Sequence, residues 1–203
     1  MGNAIETLPF PIGGTYGASG ATDGIKFEGR EYIVEDLDYS ANPAKARAIS
    51  DSVSFKRIRV VRNVSGISLL PRYLVGFKAS QYGKQVDGYT NTTAAEGFPV
   101  DEFLPSTGVP NNDLFYITVE GPAECFTSAA ANAEDVFSQK SVLVALTAAA
   151  STFSTTAGRV TAQDLTGATA LLGNQIMNRV GVAMSASTTA NTNSAKLVHI
   201  RRW

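Results

Sequence analysis

The residues able to do chemistry are few, and each stands apart from the others. His199 is the sole histidine, so a Ser-His-Asp triad would have to be built on it alone, and a histidine metal cluster is ruled out. It lies in Leu197-Val198-His199-Ile200, alternating with apolar neighbours, which fits the polar face of a terminal strand. Cys125 is the sole cysteine, which excludes an intrachain disulfide and a multi-cysteine metal site. A nucleophilic thiol needs a base and an open pocket beside it. Within Glu124-Cys125-Phe126, Cys125 reads instead as a small buried hydrophobe. Glu35, Asp36 and Asp38 could offer carboxylates to a cation, but the spacing lacks the Asp-x-Asp-x-Asp-Gly calcium pattern and reads as an acidic loop. Gly14, Gly17 and Gly20 look like a phosphate-cradling loop, yet no strand precedes them and no Gly-Lys-Ser/Thr follows. No catalytic, cofactor-binding or metal-ligating residue is therefore assigned, and the chain is expected to be non-enzymatic, with no cofactor.

The most basic stretch is Lys56-Arg57-Ile58-Arg59. The formal net charge of −1 gives no general positive excess for phosphate. No aromatic platform is interleaved with these cations, so pairing with acids inside or between subunits is the favoured role, not direct nucleic-acid contact. Charged residues make up 17% of the chain, below the usual quarter. Weakly charged, Ala/Ser/Thr-rich surfaces can be covered by neighbours without burying many ions, which suits a subunit. Asn63-Val64-Ser65 and Asn91-Thr92-Thr93 match the glycosylation acceptor pattern but read as chance matches. Met1 to Phe10 has no basic start and contains Pro9, so no secretory signal is expected and synthesis in a reducing cytoplasm fits the lone cysteine. The charge-free run between Lys140 and Arg159 is too rich in Ser and Thr for a membrane span.

The elements around these residues are short strands. Tyr32-Ile33-Val34, the β-branched run Val53 to Val64, Leu69 to Lys78 and Gln85 to Tyr89 make a first block. Leu114 to Glu120 carries the strongest strand pattern, and Gly121-Pro122 should then break the strand or place it at an edge. Ala123 to Thr127 and Val142 to Leu146 follow, and Val180 to Ser185 with Lys196 to Ile200 form a closing pair. Asn91 to Asn112 reads as a loop, broken by Gly97, Pro99, Pro105, Gly108 and Pro110. Helix is limited to two short candidates, Asn42 to Ser52 and Ala162 to Leu172. Many short strands with turn signals predict an all-β fold, a small β-barrel or β-sandwich.

Residues 1–29 differ in texture, with frequent Gly and Pro and no apolar period. They read as a long extended N-terminal arm, and 30–203 as a single β domain. Such an arm loses much entropy on ordering, so a neighbour or its own body must hold it. Leu8, Phe10, Ile12 and Tyr16 are its expected anchors, docking the arm on a neighbouring subunit.

Three stretches carry a family resemblance. They are Val61-Arg62-Asn63-Val64-Ser65-Gly66-Ile67-Ser68-Leu69-Leu70-Pro71 with Leu74-Val75-Gly76-Phe77, Leu114 to Pro122, and Arg179 to Ala186 with the terminal Lys196 to Ile200. In texture and order the chain resembles the capsid decoration, or cement, proteins of tailed bacteriophages, over roughly its last two-thirds. The resemblance implies a β-barrel or β-sandwich on the exterior of an icosahedral virion, often a homotrimer, whose partner is the major capsid protein and whose task is to bridge capsomers. A head fibre base or minor shell protein is the nearest alternative. A carbohydrate-binding β-sandwich is another, resting on Tyr73, Tyr82 and Tyr89, with Trp203 the sole tryptophan.

Overall fold

The β-branched run and the aromatic run become the two central strands of the computed structural model, which describes residues 7–17, 23–40, 45–46, 55–89, 97–126, 142–145, 160–162, 179–184 and 195–200. They are β4 (Phe55–Asn63) and β8 (Leu114–Phe126), paired antiparallel with Ile58 opposite Thr118 and Arg62 opposite Leu114. Around them lie β1 (Glu31–Glu35), β5 (Leu74–Phe77), β6 (Gln85–Tyr89) and β7 (Phe98–Pro99). Beyond β8 lie β9 (Val142–Ala145), β10 (Val160–Ala162), β11 (Arg179–Ala183) and β12 (Ala195–Ile200). A small separate pair joins β2 (Leu37–Asp38) to β3 (Lys45–Ala46).

The fold is all-β and sandwich-like. Among the described residues, one mixed sheet runs β10-β9-β11-β12-β8-β4-β6-β5-β7, with β1 also on β4. The β4–β6 pair is its parallel step, and β1 and β6 share one edge of β4 at opposite ends. Among the described residues no continuous ladder closes the sheet into a barrel. One isolated bridge, Val100 to Ile117, brings the end of β7 back to β8. The cluster thereby enclosed includes Val61, Val75, Val86, Phe98, Phe115 and Ile117. A second cluster, with Ala123, Cys125, Val180 and Val198, lies under the second half of β8 and its partners.

β8 runs straight through Gly121-Pro122, contrary to the expected break. The reason is local. The β4 ladder slips by one residue between Arg57 and Ile58 and reaches its last pair at Glu120, and β12 takes over from Gly121 onward. Pro122 therefore sits where β4 no longer needs an N–H, which is where a strand tolerates proline. Gly121 has φ 100°, and a Cβ there would lie 2.8 Å from the Lys56 Cα, so only glycine allows the two backbones to approach.

The closing pair forms as expected, Val182 opposite His199. The loop 91–112 contains β7 and the Val100 bridge, both made by pairing distant in sequence. Within the helix expected at 42–52, Lys45–Ala46 is strand, held by Leu37–Asp38, and the rest lies outside the described residues. Of the helix expected at 162–172, Ala162 ends β10 and the remainder is also outside them. Helix among the described residues is two single 3-10 turns, Ile25–Phe27 and Ala79–Gln81. None is long and apolar enough to cross a membrane.

Candidate functional site

Alternation along β4 points Lys56, Ile58, Val60 and Arg62 to one face, and alternation along β8 adds Leu114 and Tyr116. The N-terminal segment covers this face. Phe10 is buried and its ring stacks on Tyr116 at 4.4 Å, while the Tyr116 hydroxyl donates to the Phe10 carbonyl at 2.8 Å. Tyr16 exchanges backbone hydrogen bonds with Leu114 and meets Phe27 edge-on at 5.8 Å. Leu8 and Ile12 pack half-buried against the same cluster. All four predicted anchors thus lie on the chain's own sheet, with the outer sides of Leu8, Ile12 and Tyr16 left for any neighbour. The described part of the segment, with turns at 12–13 and 23–24 and the 3-10 turn Ile25–Phe27, forms one wall of a core.

Two buried cations hold this wall in place. Arg62 is 1% exposed and pairs through Nε with the Glu28 carboxylate. Its other nitrogens donate to the Asn112 carbonyl at 2.8 Å and to the Asp23 carbonyl. A single guanidinium therefore ties the segment's end to β4 and to the turn before β8, using the fixed fork that lysine lacks. At the opposite end of the face, Lys56 Nζ lies 3.0 Å from Glu102 Oε1 and 3.8 Å from Asp36 Oδ1, all three side chains at most 5% exposed. The Phe103 ring lies 5.2 Å from the same ammonium, and Glu102 Oε2 accepts the Glu124 N–H.

Next to this cluster the surface turns apolar. Ile33 is 67% exposed and Phe55 61%, on neighbouring strands with Ile33 opposite Arg57 and Phe55 opposite Glu35. A groove of about 830 Å³ runs from them between Pro9, Pro11 and Tyr39. On their other side a smaller hollow of about 230 Å³ is lined by Arg57, Glu120 and His199. Among the described residues β1 pairs with β4 alone, so its outer edge borders this groove.

The other candidates are dispersed. Burial, with Glu124 adding, pushes the Cys125 thiol far above its ordinary range, which holds it as an inert thiol. His199 faces the small hollow and shares it with Glu120 and Arg57. Gly14 follows a turn closed by Pro11, Gly17 has open space around it, and Gly20 lies outside the described residues. The three acids part company: Asp38 Oδ1 accepts from Ser40, Asp36 faces Lys56, and Glu35 lines the apolar groove. No group of three or more His, Cys, Asp or Glu among the described residues has metal-binding geometry. The basic strand pairs within the chain, Arg59 with Glu31, Arg57 with Glu31 and Glu120, and Lys56 with Glu102.

Asn63 cannot be a glycan acceptor, because it is fully buried and its Nδ2 donates to the carbonyls of Ile67, Val109 and Pro110. Asn91 lies outside the described residues. Tyr73 and Tyr89 pack on each other at 5.2 Å, and the Tyr89 hydroxyl accepts from Leu70 N–H, whereas Tyr82 sits apart on Phe77. The three tyrosines do not share one open face.

Sequence reasoning passed over Lys56 with Asp36 and Glu102, and over Ile33 with Phe55. A signal for the first existed: Lys56 alternates with Ile58 and Val60, so it shares their inward face. Glu102 arrives from a distant loop, and nothing local announces it. No protein-family model matches the chain, and no curated protein matches it.

Proposed function

We propose that this chain is a structural virion protein that binds the outside of an icosahedral phage shell and bridges neighbouring copies of the major capsid protein. The observation that carries the assembly part is the exposed pair Ile33 and Phe55 beside an open groove and the outer edge of β1. Large apolar side chains grouped at a sheet edge mark a protein-binding surface, and an edge strand can accept a strand from a neighbour. The shell as partner rests on the ordered resemblance of 61–77, 114–122 and 179–200 to cement proteins. Many copies on a lattice multiply a weak single contact by avidity, so a small apolar patch suffices. A homotrimer is the assembly form this reading favours.

The test mixes the purified chain with expanded shells assembled from the major capsid protein encoded with it, and sediments them. Saturable capture is expected, together with a higher melting temperature of the shell. Phe55→Asp and Ile33→Asp are expected to weaken capture while leaving the chain's own melting temperature nearly unchanged. A chain that stays in the supernatant at every ratio, and is monomeric by light scattering, sinks the proposal.

A further inference from the structure

The buried Lys56 cluster joins an amine, a carboxyl group and a second carboxylate in contact with the amine. Asp36 follows the last residue of β1 and Lys56 is the second residue of β4, so the antiparallel pairing of the two strands fixes both backbones. Val34 stands opposite Lys56, which places Asp36 diagonally across on the same face. Lys56 Nζ is 3.8 Å from Asp36 Oδ1, which puts the amine beside the carboxyl group it would attack. Glu102 Oε1 is 3.0 Å from the same Nζ, and its other oxygen is held by the Glu124 N–H. The Phe103 ring borders the ammonium and all three polar side chains are almost fully enclosed.

The geometry points to a self-catalysed isopeptide bond between Lys56 Nζ and Asp36 Cγ, with Glu102 as the proton carrier. The reaction runs through an unprotonated amine and a protonated carboxyl group, reached by passing one ammonium proton to the Asp36 carboxylate in contact with it. Glu102 takes a proton from Nζ, and the nitrogen lone pair attacks Asp36 Cγ to give a tetrahedral centre. The carboxyl C–O bond then breaks, and Glu102 returns its proton to the departing oxygen. Starting from ammonium and carboxylate, two protons of the nitrogen leave with one carboxyl oxygen as water and the third stays on the amide nitrogen. No oxidant, metal or co-reactant enters the balance. Folding supplies the orientation that a bimolecular condensation lacks, and enclosure shields the product from returning water. The product would tie the end of β1 to β4 covalently, closing the 37–55 segment into a loop, at the edge that borders the apolar groove.

Mass spectrometry of the purified full chain under denaturing conditions tests this directly. The expected intact mass is one water below that of the sequence, and a protease map should yield a branched peptide joining Asp36 to Lys56. Lys56→Arg, which keeps the cation beside Glu102, should restore the full mass, and Glu102→Gln should leave most of the chain uncrosslinked while circular dichroism remains that of the folded protein. The wild-type measurement stands even where a variant fails to fold. A full-mass wild type after prolonged incubation of the folded protein at neutral pH overturns the proposal. So does a water loss that maps to Asp23-Gly24 or Asp87-Gly88, where a succinimide gives the same mass change without a branch. A Glu102→Gln chain crosslinked as fully as wild type removes Glu102 from the reaction.

Discussion

Replacing Phe10 with Ala asks whether the N-terminal segment belongs to this chain's own core or to a neighbour's surface. Phe10 is 8% exposed, its ring stacks on Tyr116 at 4.4 Å, and its carbonyl accepts the Tyr116 hydroxyl. Truncating a buried phenylalanine costs about 3–5 kcal/mol. The segment lies at the surface and can partly close over the gap, so the lower end, about 3 kcal/mol, is the expected loss. For a chain of this size that corresponds to a fall in melting temperature of about 6–12 °C. Urea unfolding followed by circular dichroism reads the loss, with Thr7→Ala at an exposed neighbouring position as the control, expected within about 0.5 kcal/mol of wild type. Protein concentration is the decisive variable. An intrachain contact is lost equally at every concentration, whereas a contact between copies makes stability depend on concentration by mass action. A Phe10→Ala chain as stable as wild type, or a deficit that appears only where copies associate, would refute the intrachain packing of the segment.

Two further outcomes follow from the same face. Gly121→Ala forces a Cβ to within 2.9 Å of both Lys56 Cα and the Phe55 carbonyl at φ 100°, so a loss of about 1–3 kcal/mol is expected in the urea midpoint; an unchanged midpoint would show that β8 does not need its glycine. The second concerns alkaline pH. Burial first, then Tyr32 and Asp101, hold the Tyr116 phenol well above its ordinary value of 10.0, and burial likewise raises Cys125 above 9.0. Both groups are neutral when protonated, so the unfolded chain loses these protons at lower pH than the folded one. Their stabilisation is complete below pH 9 and declines as pH rises past 9 for the thiol and 10 for the phenol. Tyr116→Phe should cost about 1–2 kcal/mol at neutral pH through the unpaired Phe10 carbonyl, and should flatten the decline above pH 10. A decline of wild-type steepness in that variant would assign it to other groups.

Strands with a local signature were legible, and contacts made at a distance were not. Gln85 to Tyr89 forms β6 at its expected bounds, and the β11–β12 pair forms where alternating apolar residues flank a small-residue stretch. The continuation of β8 through Gly121-Pro122 was hidden because proline's cost depends on which neighbour is paired at that residue, and that is a property of the sheet. β7 and the Val100 bridge were hidden inside a Pro-rich segment for the same reason. The N-terminal segment shows no period because an irregular chain laid across an existing sheet docks wherever a pocket falls, and Phe10, Tyr16 and Phe27 are spaced accordingly. Anchor residues could be picked by their size, but the surface they anchor to could not.

That surface changes how the assembly reading must be tested. Had the segment been a loose arm reaching to a neighbour, removing residues 2–20 would have weakened shell binding and left the body folded. Those residues include Phe10 and Tyr16, which cover Ile58, Val60, Leu114 and Tyr116. Their removal would expose buried side chains of two central strands, and lost binding could then be no more than lost folding. The side chains that can report on assembly alone are the ones the fold leaves outside, Phe55 and Ile33. They stand on β4 and β1, and Lys56 follows Phe55 on β4 while Asp36 follows the end of β1, so the apolar edge and the Lys56–Asp36 pair share the same two strands. A covalent tie between these strands would hold that edge in one shape while a neighbour is bound, lowering the ordering cost of the contact. Shell binding by Lys56→Arg, compared with wild type at equal folded fraction, separates a tie that merely stabilises the body from one that also preorganises the edge: weaker capture by the folded variant is the result expected of preorganisation, and equal capture confines the tie to stability.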